Sequence, residues 1–435
     1  MCLTIPAKVI SMKEGPIDAP VREIVVEDSR GERSIRAISL PELKVGDWVL
    51  YTLDLAVRQV SQEEAQEIID LLEPRKFVDL SSLSPSFSSV LAKSFSHDLD
   101  RSDIIQLLST EDEIEMEALF SEANTLRQAN LRDFFCIHGI IEFSSNCVRS
   151  CYYCGLRKPS KDVTRYRMMP EEVVEAAVDA VDGRGYKLIV LQSGDDFDYS
   201  DDDLVEIVTE IKSRCKVFIF ISVGERSAEC YGRMKAAGAS GVLLRFETSN
   251  PSIYEALHPG QSLEDRLELL PVLKGMGYYI ASGFLIGLPE QTVEDIADDI
   301  LLMKALGIKM VTVGPFIPSE GTPLSAHPAG SALMTLKVTA IARLLMPKAK
   351  IPVTTALETI ESEEGRRLGL SSGANSLMFN LTPEKYRADY KIYPNKYHGK
   401  EELWEKYGLF SEELSYKMLE QKMFEAFEPE DPGEL

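Results

Sequence analysis

Eight times between residues 139 and 382 the chain passes from an apolar, β-rich run into a loop or helical stretch. The runs are GIIEFS, KLIVLQSG, KVFIFISV, GVLLRFET, YIASGFLIG, MVTVGPFI, PVTTALET and SLMFNLT. Stretches such as PEEVVEAAVDAVD, DDLVEIVTEIKS and TVEDIADDILLMKALG separate them with helical spacing. Strands alternating with helices imply parallel pairing, because parallel neighbours need a long crossover. Eight βα units is the count that closes a (β/α)8, TIM-like barrel, and the count favours that α/β fold. A doubly wound open sheet is the alternative.

The flanks read differently. Residues 1–75 contain AKVISM, REIVVED, ERSIRAIS and DWVLYTL, separated by polar turns, then SQEEAQEIIDLL. Short strands at close spacing predict a small, OB-like β-barrel, and Ser61 with Glu64 predicts a capping box opening a helix. Residues 76–98 are serine-rich and read as a partly ordered linker; 99–400 form the large barrel. Residues 401–435 hold eleven acidic and three basic side chains, a helical acidic tail without assigned chemistry.

Charge narrows the function. The chain has 47 Lys+Arg against 70 Asp+Glu, net −23, which argues against nucleic-acid or anionic-membrane surfaces. No run of about 18 apolar residues and no signal-peptide pattern is present, so a cytoplasmic protein is expected. Seven cysteines, an odd number with three crowded together, do not fit a secreted disulfide framework.

The crowded three are Cys147, Cys151 and Cys154 in CVRSCYYCG, just after the first barrel strand. Barrel active sites gather at that end of the strands. Three thiolates suit three irons of a 4Fe–4S cube and leave the fourth iron open to a small molecule. Structural zinc would need Cys136 or His138 as a fourth ligand, from a strand of poor geometry. A redox dithiol leaves one cysteine unexplained, and three coincidental buried cysteines is the remaining alternative.

The spacing C-x3-C-x2-C with Tyr153 before the last cysteine resembles radical S-adenosylmethionine enzymes. GIIEFSSNCVRSCYYCGLRK, LLRFETSNPSIYEALHPGQSLEDRL, VGPFIPSEGTPL and YRADYKIYPNK resemble the radical maturases of FeFe-hydrogenase, a branch that includes methylornithine synthase. The resemblance implies one 4Fe–4S cluster, S-adenosylmethionine and its one-electron cleavage to a 5′-deoxyadenosyl radical. It implies cofactor contacts at Tyr153, Gln192, Ser193, Gly194, Asp195, Glu247 and Arg266. Asp195, where the family usually has Glu, would pair with the ammonium, and Arg266 with the methionyl carboxylate. Arg245 would bind a substrate carboxylate, and Thr354, Thr355 and Tyr393 would line the substrate pocket. Gly283 and Gly287 would let backbone approach the adenine. Two departures stand out: no cysteine follows Cys230, so a second cluster is not expected, and Phe220 and Gly241 replace polar positions of the family pocket.

MCLTIPAKV, VGDWVL and LAVRQVSQEEAQEIIDLLE resemble the small accessory chaperone of NiFe-hydrogenase maturation. That resemblance implies Cys2 as a ligand of an iron complex, although Thr52 stands where the family often has histidine. Together the resemblances imply a radical enzyme of hydrogenase metallocofactor assembly, whose first domain presents an iron-complex or small-molecule substrate, or a maturation protein. A ferredoxin or flavodoxin would supply electrons. A methylornithine-synthase-type mutase and a non-catalytic iron-complex scaffold are the alternatives.

Overall fold

The computed structural model describes residues 5–13, 21–28, 31–38, 40, 42–52, 55–72, 82–131, 136–161, 163–362 and 364–396. Cys2 and the acidic tail 401–435 lie outside the described residues. The chain divides into two compact units, whose described parts fall mainly within residues 5–72 and 82–396.

In the first unit, β1 (Ile5–Met12), β2 (Val21–Asp28), β3 (Gly31–Ile38), β4 (Trp48–Thr52) and β5 (Leu55–Val60) close a barrel in the order β1-β2-β3-β5-β4. Period-two alternation builds its core: Ala7 and Val9, Ile24 and Val26, Ile35 and Ala37, Val49 and Tyr51 point inward, while Lys8, Glu23 and Arg36 face solvent. The fifth strand was not among the four read from the sequence. LAVRQV follows β4 after two residues, too close to be separated by a turn signal. The expected capping box is present: Glu64 N donates to Ser61 Oγ (3.1 Å) and Ser61 N to Glu64 Oε2 (2.9 Å). The helix Gln62–Leu72 then buries Ala65 and Ile68 against Leu50 and Val60.

The second unit contains all eight expected β-runs. Its strands are β6 (Cys136–Ser144), β7 (Leu188–Ser193), β8 (Phe218–Ser222), β9 (Gly241–Leu243), β10 (Tyr279–Ser282), β11 (Leu285–Ile286), β12 (Met310–Val311), β13 (Gly314–Pro315), β14 (Pro352–Val353) and β15 (Ser376–Asn380). Eight of them form one parallel sheet, ordered β12-β10-β9-β8-β7-β6-β15-β14. A parallel bridge between Met310 and Lys350 joins its two ends, with Val311 N donating to Lys350 O (2.8 Å) and Lys350 N to Lys309 O (3.0 Å). The sheet is therefore a barrel, not the open alternative. β6 is buried at every position, as a strand covered on both faces must be. The runs YIASGFLIG and MVTVGPFI each break into two short strands, and β11 pairs with β13 beyond the main sheet. A Cβ on Gly283 would lie 2.2 Å from Thr312 O, so the break lets two backbones meet.

The serine-rich stretch corrects the linker reading from Ser82 onward. Ser84 caps a helix over Pro85–Lys93, accepting from Phe87 N (3.3 Å), and Pro85 starts it. Phe87, Val90 and Leu91 are buried, and His97 Nδ1 donates to the Leu344 carbonyl group at 2.9 Å. Serine content masked an apolar stripe at helical spacing.

Asp299, on the helix Val293–Leu306, is fully buried. It accepts from Ser249 N and from Gln291 Nε2 (3.2 Å), and Gln291 Oε1 in turn accepts from Gly287 N (2.8 Å). Burial pushes its carboxyl up from 3.8 to about 7. The folded state then binds more protons than the unfolded state between those values, so stability falls as pH rises through that window. At about 1.4 kcal/mol per unit, the loss is on the order of 4 kcal/mol at most. Urea unfolding of Asp299→Asn beside wild type, at pH 5 and pH 8, should show wild type losing stability relative to the variant as pH rises.

Candidate active site

Between Ser145 and Tyr166 the described residues form neither helix nor strand. Their backbone groups find partners elsewhere. Val148 N donates to Asp195 O (3.0 Å), Tyr152 N to Leu257 O (3.0 Å) and Gly155 N to Ile392 O (3.0 Å). Ser319 N and Leu324 N donate back, to Tyr153 O (2.9 Å) and Tyr152 O (3.2 Å). Arg165 closes the loop from below through the Leu156 (2.9 Å) and Arg157 (2.8 Å) carbonyl groups. Chain following four other strands thus holds the cysteine loop over the C-terminal barrel mouth.

Cys147, Cys151 and Cys154 line one cavity of about 340 Å³. Burial pushes the Cys151 thiol up to about 11, raises Cys147 and raises Cys154 further. Metal binding must therefore displace protons. Among the described residues no three His, Cys, Asp or Glu converge as on a single ion. Three thiols spread over a cavity wall suit a cluster whose irons each take one thiolate. Cys136 and His138 are not part of this set: on β6 they are buried against each other, with Cys136 Sγ 3.1 Å from His138 Nε2. The fourth-ligand alternative has no geometric support.

The three cluster cysteines, the seven expected cofactor contacts and the four expected substrate residues all line this same cavity. Gly194 touches the cysteine loop itself, since a Cβ there would lie 2.2 Å from Asn146 O and 2.8 Å from Cys147 Cβ. Asp195 and Arg266 are already engaged. Arg149 Nε donates to Asp195 (2.6 Å), Arg149 Nη2 to Glu225 (2.9 Å) and Arg266 Nε to the other Glu225 oxygen (2.8 Å). Arg266 Nη1 also holds the Arg245 carbonyl group (2.9 Å). Arg149 and Glu225 were missed; Glu225 lies two residues past the KVFIFISV run, a position the barrel topology marks as mouth.

Glu247 has φ of 66°, a strained value for a side chain of this size. The turn points its carboxylate at Arg245 Nε (3.2 Å), as their spacing of two suggested. His258 Nδ1 lies 2.7 Å from Tyr254 O, so it carries the proton and Nε2 accepts from Tyr153 OH (2.8 Å). Burial lowers His258's pKa, which keeps the ring neutral. Thr355 Oγ1 and Tyr393 OH are bonded at 2.7 Å, while Thr354 caps the helix Thr355–Glu361.

The sequence reading also missed the far wall. Glu142 is buried, accepts from Asn380 Nδ2 (2.9 Å) and is paired with Lys396. Thr312 lines the cavity with a buried hydroxyl that has no partner among the described residues and can meet a ligand oxygen or nitrogen. Phe220 and Gly241, expected in the pocket, are not among its lining. Phe220 is fully buried, and its ring fills the space a Gly241 side chain would need (2.3 Å). Gly283 and Gly287 face protein backbone, at Thr312 and Gly330.

Residues 141–303 match the radical SAM superfamily, and residues 1–72 match the HupF/HypC family. The chain is 44% identical over 307 residues to the FeFe hydrogenase maturase subunit HydE of Thermotoga maritima, across 71% of this chain and 87% of that one. The chain belongs to the radical SAM superfamily. It is 33% identical over 279 residues to the 3-methylornithine synthase of Methanosarcina acetivorans, covering 64% of this chain and 78% of the relative. A crystal structure of methylornithine synthase superposes with TM-score 0.67 at 26% identity, over 78% of this chain and 99% of that one. The radical SAM protein is an enzyme, and its cofactors are a 4Fe–4S cluster and S-adenosylmethionine. Bound, they supply one-electron reductive cleavage of a carbon–sulfur bond and hence hydrogen-atom abstraction. No helix among the described residues is long and apolar enough to cross a membrane.

Gly194→Ala should displace the Cys147 segment without unfolding the barrel. Iron bound after anaerobic reconstitution should fall well below wild type while the far-ultraviolet circular dichroism stays unchanged.

Proposed function

We propose that this radical SAM enzyme works in the cytoplasm on the assembly of a hydrogenase metallocofactor. The observation that carries the reading is the 44% identity to a FeFe hydrogenase maturase subunit over 87% of its length. The HupF/HypC match over residues 1–72 adds a second link to maturation. In this reading Cys147, Cys151 and Cys154 hold the cluster. Gln192, Ser193, Gly194, Asp195, Glu247 and Arg266 cradle S-adenosylmethionine, with Tyr153 against it. Asp195 and Arg266 exchange their present partners for its ammonium and carboxylate. Arg245 takes a substrate carboxylate beside Thr354, Thr355 and Tyr393. Residues 1–75 present an iron complex, with Cys2 as a ligand, or dock a maturation protein. A small electron-transfer protein supplies the electron.

The identity to 3-methylornithine synthase favours a second reading, rearrangement of a free amino acid. It predicts that an amino acid alone, without any iron complex, stimulates the reaction.

Anaerobically reconstituted enzyme should bind about four irons per chain and form 5′-deoxyadenosine when reduced with dithionite. Cys151→Ala should abolish both. Retention of 5′-deoxyadenosine formation in that variant would overturn the cluster assignment. Purified Cys2→Ala enzyme should keep this activity yet lose binding of iron–cyanide–carbonyl species; unchanged binding would remove the carrier role.

A further inference from the structure

A second cavity, of about 850 Å³, lies beside the first and reverses the charge of the chain around it. Among the described residues its charged lining is Lys161, Arg387, Lys391 and Lys396 against Glu320. In the chain as a whole acids outnumber bases, 70 to 47. Lys396 turns inward to Glu142, which leaves Lys161 and Lys391 as the exposed lysines of the described lining. Lys161 and Lys391 are exposed, as is Lys158 on the flanking loop. Their ammonium groups make no hydrogen bond or ion pair within the described residues. Unpaired lysines in an acidic protein concentrate a local positive potential where the rest of the surface repels anions.

The floor of this cavity is the cysteine loop. Gly155, the residue after Cys154, lines it and donates to Ile392 O (3.0 Å). A Cβ on Gly155 would lie 2.0 Å from Lys391 O, so only a glycine lets the Lys391 backbone rest on the loop. Lys391 therefore stands one layer of backbone from the residue that follows Cys154.

We infer that this basic rim is the docking surface for a small acidic electron-transfer protein. The inference rests on the reading that Cys147, Cys151 and Cys154 hold a cluster reduced by such a carrier. The carrier loses one electron and the bound cluster gains it; no bond forms and no proton moves. Redox encounters use small interfaces and depend on charge steering rather than on apolar burial, which suits a rim of mobile lysines. Such an encounter weakens with salt.

The test uses the full chain with purified flavodoxin. Binding is followed by fluorescence anisotropy at low and high salt. Turnover to 5′-deoxyadenosine is measured with reduced flavodoxin and, separately, with dithionite. The double variant Lys161→Glu, Lys391→Glu should bind flavodoxin about tenfold more weakly at low salt. Its flavodoxin-driven rate should fall while its dithionite-driven rate stays at the wild-type level. Lys216→Glu, an exposed reversal just before β8 at the opposite end of the barrel, should change neither. Wild-type flavodoxin affinity in the double variant would overturn the inference, and so would a parallel loss of the dithionite-driven rate. So would inorganic phosphate filling the cavity without displacing flavodoxin. Wild-type enzyme that forms no 5′-deoxyadenosine even with dithionite would instead overturn the radical-enzyme reading.

Discussion

Three thiols can serve one cluster only if their loop stays put, and this loop has no ladder or helix of its own to keep it there. Its backbone is fixed from outside, by Asp195, Leu257, Ser319, Leu324 and Ile392. They lie in the chain after four different strands, β7, β9, β13 and β15. A parallel barrel is what brings those points to one mouth, because every strand ends on the same side. The bridge between Lys350 and the Met310 strand matters for the same reason: it brings β12 and the chain after it beside β14, whose neighbour β15 pairs with β6. Gly194 and Gly155 complete the fit, one under Cys147 and one under Lys391, at approaches no side chain permits.

Around the loop, charge is arranged as an alternating chain, Asp195–Arg149–Glu225–Arg266, with Arg245–Glu247 alongside. Pairs this shielded contribute less to stability than their geometry suggests, since desolvation offsets attraction. What they do is fix the orientation of polar groups before a ligand arrives. Arg149 and Glu225 hold Asp195 and Arg266 in place, and a ligand bearing both an ammonium and a carboxylate can exchange with those contacts at little change in net charge. The φ of Glu247 belongs to the same arrangement. Strain at one residue is tolerable when it aims a carboxylate into the mouth.

The barrel was legible because its signal repeats: eight runs of buried β character, each too apolar for a solvent-facing strand. The cysteine loop was legible because its spacing is rare and its position after the first strand is specific. The helix capped by Ser84 was not, because eight serines from Ser81 to Ser96 read as linker composition and concealed Phe87, Val90 and Leu91. Glu225 and Glu142 were missed for another reason. Each is one acid among many, and only the fold shows that one joins two arginines while the other meets Asn380 and Lys396 from chain more than two hundred residues away. Phe220 and Gly241 erred the opposite way. They are neighbours across β8 and β9 and fill each other's space, so their pairing serves the packing of the barrel rather than the cavity.

The segment Tyr390–Lys396 shows how little chain can serve two surfaces. Tyr390, Tyr393 and Lys396 line both cavities, Ile392 lines only the inner one, and Lys391 lines only the outer one. On the inner side Tyr393 holds Thr355 and Lys396 holds Glu142; on the outer side the Lys391 ammonium has no partner among the described residues. An extended strip has two faces and one backbone, and a close-packed wall does not deform on one face alone. A partner pressing on Lys391 and a ligand pressing on Tyr393 therefore act on the same few residues, anchored by the Ile392 carbonyl group to the loop that carries the cysteines. The proposed docking surface and the proposed substrate pocket therefore share one backbone segment.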